Sequence, residues 1–406
     1  MNFDLIVVGS GPGGSAAAYF NALEGYRVLL IDKSSFPRDK TCGDGVTGKS
    51  LAVLHEMGLS EVITETRQIS CDGVIIGAPN QQELRIDISS PNDPLSAFCI
   101  ERSELDEILH HKASKMVLDT GGNVVYATVK EVLVEEGEAV GVVTTTGHEY
   151  RATRIIGAGG SNCPVSRWVL EQNEVPRQDR NHYSSAIREY WTGIEGNSGE
   201  FEIHFVKGIL PGYFWIFPIS DTKFNIGVGM LLKDMDKQSV KLREMLDYIV
   251  NESHLAPRFS QASPVEKTRK GWLLPLGSPR NGEIMPRKNY ASNCLLIGDA
   301  ASLVDPFTGE GIGNALVSGK LTASYPQFSE GNCRGYQITL WDLIGEELSN
   351  SYRLQRMLKH KWLINWFIKK ARKRPALQEV LTDMLHNKEA QSAFKSKWFL
   401  LKTLLF

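Results

Sequence analysis

The first 33 residues set two apolar patterns side by side. Leu5–Val8 is an unbroken apolar run, the mark of a strand buried on both faces, and residues 28–31 form a second. Between them, residues 15–23 are small and helix-compatible. Comparable runs recur at 124–133, 139–146 and 148–156, with turns at Glu136-Gly137 and Thr146-Gly147, so three strands are predicted there. Residues 71–89 alternate loosely around Gly77-Ala78-Pro79-Asn80 and read as an antiparallel hairpin. Strands are predicted again at 200–206, 213–218, 224–230 and 294–297. Helical spacing marks 49–57, 235–252 and 311–325, and a helix running to residue 118 takes Ser103 as its N-cap. The remainder, after Tyr325, is helical in pattern.

Glycines punctuate these runs where a phosphate needs them. Gly9, Gly11 and Gly14 form G-x-G-x-x-G between the first strand and the first helix, and Asp32 closes the second strand. Such glycines let backbone N–H groups approach a pyrophosphate, which faces the helix N-terminus, while the acid accepts ribose hydroxyls. A lone fingerprint is weak, but the strand–helix–acid context is the confirmation it requires. A second glycine turn, Gly157-Ala158-Gly159-Gly160-Ser161, follows the strand ending near 156. A third, Gly298-Asp299-Ala300-Ala301 with Asp305 to Ala315 beyond it, pairs an acid for sugar or ribityl hydroxyls with a glycine-led helix start.

Composition narrows the class. Hydrophobic content of 42% and charge of 23% describe a soluble globular chain of two or more domains, and a net charge of −2 argues against nucleic acid as a partner. That total conceals an asymmetry. Residues 350–406 hold 13 Lys and Arg against 3 acids, +10, on a body of −12. Residues 353–374 interleave Leu354, Trp362, Trp366 and Phe367 with lysines and arginines, and the last nine residues are mostly apolar. This tail reads either as a peripheral membrane contact or as a helical bundle with a solvated basic face. Asp4 interrupts any signal peptide, and no apolar run reaches the roughly 18 residues of a spanning helix. The expected location is cytoplasmic, and peripheral on the inner face of the cell membrane if the first reading of the tail holds. The six cysteines, Cys42, Cys71, Cys99, Cys163, Cys294 and Cys333, show no metal or disulfide spacing.

Three segments stay open on residue types alone. Cys42-Gly43-Asp44-Gly45, after the turn Phe36-Pro37-Arg38, is either backbone lying against a flat ring or a plain loop with a bystander thiol. Arg102 is either a solvated helix-entrance residue or a cofactor contact. Tyr213, Phe214, Trp215 and Phe217 either pack a β-core or form an apolar wall facing a ligand.

Together the Gly9–Gly14/Asp32, Arg102/Asp106 and Gly298-Asp299/Gly309–Gly313 motifs resemble FAD-dependent oxidoreductases of the p-hydroxybenzoate hydroxylase fold. FPRDKTCGDG, PGYFWIFP and GDAASLVDPFTGEGIGNAL are similar to segments of the geranylgeranyl reductase family. The resemblance implies an α/β fold: a Rossmann-like FAD-binding domain (1–70, 97–180 and 288–325) with an inserted antiparallel-sheet substrate domain (71–96 and 181–287). A helical C-terminal region (326–406) follows. It implies that Gly9, Gly11, Pro12, Gly13, Gly14, Asp32 and Lys33 serve the ADP part of FAD. Cys42, Gly43 and Gly45 would lie near the flavin, Arg102 on the cofactor, Lys130 backbone near adenine, Asp299 by the ribityl-pyrophosphate, and Gly311 and Ile312 at the isoalloxazine edge. Cys42, Tyr213 and Trp215 are the candidates beside the reacting carbon; no metal is expected. Gly159-Gly160 stands where relatives often carry Asp-Gly, a departure that bears on NAD(P)H as donor and leaves ferredoxin as the alternative.

The implied reaction adds hydrogen across C=C bonds of a polyprenyl lipid or quinone. An isolated alkene has no carbonyl to accept charge, so protonation toward a tertiary cation accompanies hydride delivery from reduced flavin, and aromatic walls favour that cation. Rival readings are a flavin-dependent monooxygenase or halogenase, an isomerase or cyclase, and a non-catalytic lipid-binding flavoprotein. Against a halogenase, Trp-x-Trp-x-Ile-Pro is replaced by Tyr213-Phe214-Trp215-Ile216-Phe217-Pro218.

Overall fold

The computed structural model describes residues 2–66, 68–88, 97–280 and 287–374 of the chain. Its centre is a six-stranded sheet in the order Tyr290–Ala291, Cys294–Leu296, Ile155–Gly157, Leu5–Val8, Val28–Asp32, Asn123–Tyr126. All neighbours are parallel except the Tyr290–Ala291 edge. Val7 pairs with Leu30 on one side and Ile156 on the other, so the first strand is flanked on both edges and fully buried. That position explains its unbroken apolar run. The helices Pro12–Leu23 and Arg102–Asp119 pack beside it. The first begins at Pro12 rather than residue 15, because a proline at the first helical position gives up an N–H that has no intrahelical partner there.

Two runs predicted as single strands each serve two sheets. Asn123–Tyr126 ends in the parallel sheet, and Val129–Glu135 starts a separate four-stranded sheet with Glu138–Thr144, Glu149–Ala152 and Asn2–Phe3. Glu149–Ala152 and Ile155–Gly157 divide the other run. Between them Arg154 turns its guanidinium over the Tyr26 ring, 4.1 Å from its centroid, and its carbonyl accepts from Ile6 N–H at 2.9 Å. Each link is only two residues long, Ala127-Thr128 and Thr153-Arg154, and carries no glycine or proline, so the sequence shows no break there.

The second large sheet has eight strands. Tyr183–Thr192, Lys223–Leu231, Tyr213–Pro218, Phe201–His204, Gly73–Gly77 and Glu83–Asp87 follow one another, with Ser263–Pro264 and Lys270–Pro275 against the first. Only Phe201–His204 with Gly73–Gly77 is parallel among these pairs. The hairpin read at 71–89 is Gly73–Gly77 with Glu83–Asp87; Ser89 lies outside the described residues. The helix predicted at 235–252 is two, Leu232–Gln238 and Leu242–Asn251, separated at Ser239, which takes φ +53°. The last of the predicted motif helices is Ile312–Leu321, closed by the 3-10 turn Thr322–Ser324.

Glu330–Met357 is a 28-residue helix, and Lys361–Ala371 follows after a short break. The predicted basic stretch from 353 therefore spans a corner between two helices. Ile364, Ile368 and Ala371 pack on Leu84, Ile86 and Phe205, so Lys361–Ala371 covers the end of the antiparallel sheet. The apolar last nine residues of the chain lie outside the described residues.

Candidate functional site

Two helix N-termini meet at the carboxyl ends of the parallel strands. Gly9 leaves the first strand at φ +105°, and a Cβ on Gly14 would stand 1.8 Å from the Gly9 carbonyl oxygen, so the turn closes only with glycine there. Gly11 is the N-cap of Pro12–Leu23 and Gly311 that of Ile312–Leu321; neither has a side-chain cap. Their leading N–H groups stay available to a ligand. The helices are packed closely enough that a Cβ on Gly13 would meet the Ala315 carbonyl at 3.0 Å.

Asp32 is nearly buried and accepts from Ser10 N–H at 2.6 Å and Ser34 N–H at 2.9 Å, which aims the carboxylate along the cleft. Ala127 N–H donates to the Asp32 carbonyl at 2.8 Å and sets the segment leading to Lys130 beside that acid. The Lys130 ammonium points outward, paired with Glu131 at 3.0 Å. Asp299, in the turn Gly298–Ala301, stands 3.6 Å from Lys40 Nζ and would be 3.2 Å from a Cβ on Gly311.

Arg102 is buried and starts its helix, with Glu101 as N-cap rather than Ser103. Its guanidinium donates twice to Asp106, at 2.8 and 2.7 Å. Asp106 is also shared with Arg38 at 3.1 Å. Two arginines on one buried carboxylate leave a net positive charge, and Arg38 lies 3.5 Å from where a Gly11 Cβ would be, beside the helix start. That is the charge a pyrophosphate needs. Burial alone would lower the Arg102 pKa; Asp106, together with the neighbouring Cys42 thiol, drives it well above its ordinary value. Arg102 thereby joins the phosphate end of the cleft to the Cys42 loop.

Every candidate residue except Gly14 borders one continuous cavity of about 2690 Å³. Gly14 acts from behind the turn. Part of the cavity wall is apolar, built by Ile76, Ile203, Phe205, Tyr213, Trp215 and Phe367. Tyr213 donates its O–H to the Thr308 carbonyl, and burial pushes that phenol well up. Gly43 lies against Phe217, 3.1 Å from where its Cβ would be, which brings the Cys42 loop onto the aromatic strand. Cys42 is half-buried; the other five cysteines are buried.

Residue types alone missed Arg38, Lys40, Asp44, Arg188, Tyr190 and Asn225. Asp44 is fully buried, accepts from Tyr190 O–H at 2.5 Å and Asn225 Nδ2 at 2.7 Å, and has no partner at Oδ1 among the described residues. Burial raises its pKa to about 6 against the lowering from Tyr190, Arg188 and Asn225. A raised carboxyl pKa stabilises the fold below the unfolded value near 3.8, and that contribution is lost as pH rises through about 6. Asp44→Asn is therefore expected to gain stability relative to the native chain by about 2 kcal/mol between pH 4 and pH 8. Denaturant melts at both pH values measure it; a constant difference would show that Asp44 ionises normally.

Known proteins share this arrangement. Residues 2–191 match the FAD binding domain family and residues 182–270 the geranylgeranyl reductase catalytic domain family. A menaquinone reductase of Mycobacterium tuberculosis is 32% identical over 369 residues, 87% of this chain and 84% of that protein. The chain belongs to the geranylgeranyl reductase family of FAD-dependent oxidoreductases. Within reach of this geranylgeranyl reductase family member is also a digeranylgeranylglycerophospholipid reductase of Methanosphaera stadtmanae, 30% identical over 78% of this chain and 75% of that one. Among solved structures, a geranylgeranyl bacteriochlorophyll reductase-like protein from Thermoplasma acidophilum covers 99% of this chain and 98% of its own at TM-score 0.75 and 21% identity. A flavin-dependent brominase superposes at TM-score 0.73 and 20% identity, covering 95% and 93%. Both share the fold.

FAD is the cofactor of this family member. The residues present fit it: two uncapped helix N-termini, a clash-limited glycine turn, an oriented Asp32 and the Arg38–Asp106–Arg102 cluster offer a pyrophosphate and a ribose their partners. Among the described residues no cluster suits a metal ion.

Proposed function

We propose that this family member hydrogenates C=C bonds in the prenyl chain of a membrane lipid or quinone. The observation that carries the reading is the continuity of one cavity, from the glycine-turned nucleotide cleft to an apolar, aromatic-walled chamber. The menaquinone and digeranylgeranylglycerophospholipid reductases among its relatives are named for substrates of this kind. Once reduced by NAD(P)H or a ferredoxin, bound FAD would supply the hydride, and a proton drawn ultimately from solvent would complete the addition.

The protein's own residues supply position and environment. Gly9, Gly11, Pro12, Gly13 and Asp32, with Lys33 and Lys130 at the margin, hold the ADP portion, and Arg38 and Arg102 balance the pyrophosphate. Asp299 takes ribityl hydroxyls, and the start of Ile312–Leu321 at Gly311 faces the ring edge that becomes electron-rich on reduction. Cys42, Gly43 and Gly45 would lie near the bound flavin. Tyr213 and Trp215, on the cavity wall, would face the prenyl chain, where their rings would stabilise positive charge and exclude water.

The lipid reaches this chamber at the corner between the last two helices. Met357 and Trp362 are 44% and 65% exposed there, and Met357 also borders the cavity with Leu354, Leu358 and Leu363. Arg353, Arg356 and Lys361 are exposed with no acidic partner among the described residues. Exposed apolar side chains ringed by unpaired cations suit an anionic lipid surface. Among the described residues no helix is long and apolar enough to cross a membrane. The double variant Lys361→Glu with Trp362→Glu is expected to weaken sedimentation with phosphatidylglycerol vesicles at least about tenfold, from roughly 1 kcal/mol per cation. Equal binding to neutral and anionic vesicles would remove this face from the reading.

The assignment itself is tested by product mass. The chain, FAD and dithionite incubated with a prenylated quinone or a phospholipid carrying geranylgeranyl chains should give lipid heavier by two hydrogens per reduced bond. Lipid of unchanged mass, or oxygen uptake with a hydroxylated or halogenated product, would count against it.

A further inference from the structure

A buried polar junction lies behind the segment that carries Cys42. Asn225, on the strand Lys223–Leu231, has no exposure and uses its whole amide. Nδ2 donates to the Cys42 carbonyl at 2.8 Å and to Asp44 Oδ2 at 2.7 Å, while Oδ1 accepts from the Trp215 indole N–H at 2.9 Å. Both amide hydrogens and the oxygen are engaged, and the donor and acceptor ends face different partners, so the orientation of the amide is fixed. Asp44, at φ +67° between Gly43 and Gly45, also accepts from Tyr190 O–H. Tyr190 is cross-strand partner to Asn225, and the Arg188 guanidinium and Lys223 ammonium sit 4.3 and 4.4 Å from the centre of its ring.

The sheet makes the reach to Trp215 obligatory. Trp215 pairs with Gly227, and a Cβ there would come within 2.2 Å of the indole, so the ring lies across a position with no side chain. Two residues along the same strand, on the same face, stands Asn225. A leucine would fill this site at similar volume. The asparagine instead ends every side-chain hydrogen bond on the two elements that border the cavity, the Cys42 loop and the aromatic strand.

We propose that Asn225 is a positioning residue: it clamps the Cys42 loop to the Trp215 indole, with Asp44 and Tyr190 holding the clamp from behind. The thiol and the indole then keep one fixed relation on the cavity wall. The consequence for turnover rests on the proposed prenyl reduction; the clamp does not.

Cys42 reports directly on it, because the other five thiols are buried and react slowly in the folded chain. The Asn225→Leu variant removes the two amide hydrogen bonds to the loop, keeps the Tyr190–Asp44 bond, and leaves a buried indole N–H and the Cys42 carbonyl unpaired. Iodoacetamide labelling of Cys42, read by peptide mass spectrometry in full-length chain with and without FAD, is expected to quicken about tenfold. With lipid substrate, kcat is expected to fall about tenfold while KM stays within about twofold, because the apolar chamber is untouched. A folded Asn225→Leu chain that labels at the native rate overturns the proposal, even if it melts at a lower temperature. Should that variant not fold, Tyr190→Phe removes one hydroxyl only; labelling about threefold faster supports the clamp, and an unchanged rate overturns it. Labelling needs no lipid, so faster labelling of the variant together with no prenyl reduction by the native chain would uphold the clamp and sink the substrate assignment.

Discussion

Gly14→Ala yields a chain that no longer retains flavin. A methyl at this position lies 1.8 Å from the Gly9 carbonyl oxygen, a backbone atom that cannot step aside. Gly9 holds φ +105° and leads directly to the uncapped helix start, so opening the turn moves the N–H groups that face the pyrophosphate. Retention of FAD after gel filtration, read from flavin absorbance against protein, is expected to drop at least about 100-fold, near 2.7 kcal/mol. Gly331→Ala provides the contrast. Its Cβ meets nothing within 4 Å, on a helix position away from the cavity, and flavin retention is expected to stay within about twofold of native. Equal losses in the two variants would mean that the turn geometry is not what binds.

Ile203→Trp is expected to stop prenyl turnover while leaving the flavin in place. Ile203 sits in a row with Ile76 and Trp215 across three neighbouring strands, and all three border the chamber. An indole there occupies chamber volume without crowding the closed core. Specificity should respond as a lost substrate volume, with kcat/KM down at least about 100-fold and the flavin spectrum and melting temperature near native. Ile203→Ala, which only enlarges the chamber, should stay within about tenfold of native. Native turnover in the tryptophan variant would place the lipid elsewhere.

The parts of this site that sequence reading reached are those written in consecutive residues. Gly9 to Gly14 with Asp32, and Gly298-Asp299 with Gly311, are local strand–turn–helix chemistry, so spacing alone exposes them. The aromatic strand Tyr213–Pro218 was legible as a strand, but only the fold divides its rings: Tyr213, Trp215 and Phe217 border the cavity, whereas Phe214 packs in the core. The buried polar groups were beyond reach for a different reason. Asn225 meets Asp44 across 181 residues and Tyr190 meets it across 146, through strand pairings that no window of sequence contains. Arg38 was read only as a turn residue; its carboxylate partner, Asp106, sits on a helix far along the chain. The strand errors share one cause: the chain passes between sheets through links of only two residues, Ala127-Thr128 and Thr153-Arg154, neither of which carries a glycine or proline to mark a break.

The central claim is that a flavin held in the glycine-turned cleft delivers hydrogen to a prenyl chain in the adjoining chamber. Anaerobic stopped-flow mixing of the dithionite-reduced, FAD-loaded chain with a prenylated lipid tests it most directly. The account predicts return of the oxidised flavin spectrum, one flavin for each double bond lost. A reduced flavin that stays reduced in excess prenyl lipid, yet reoxidises at once in air, would contradict it.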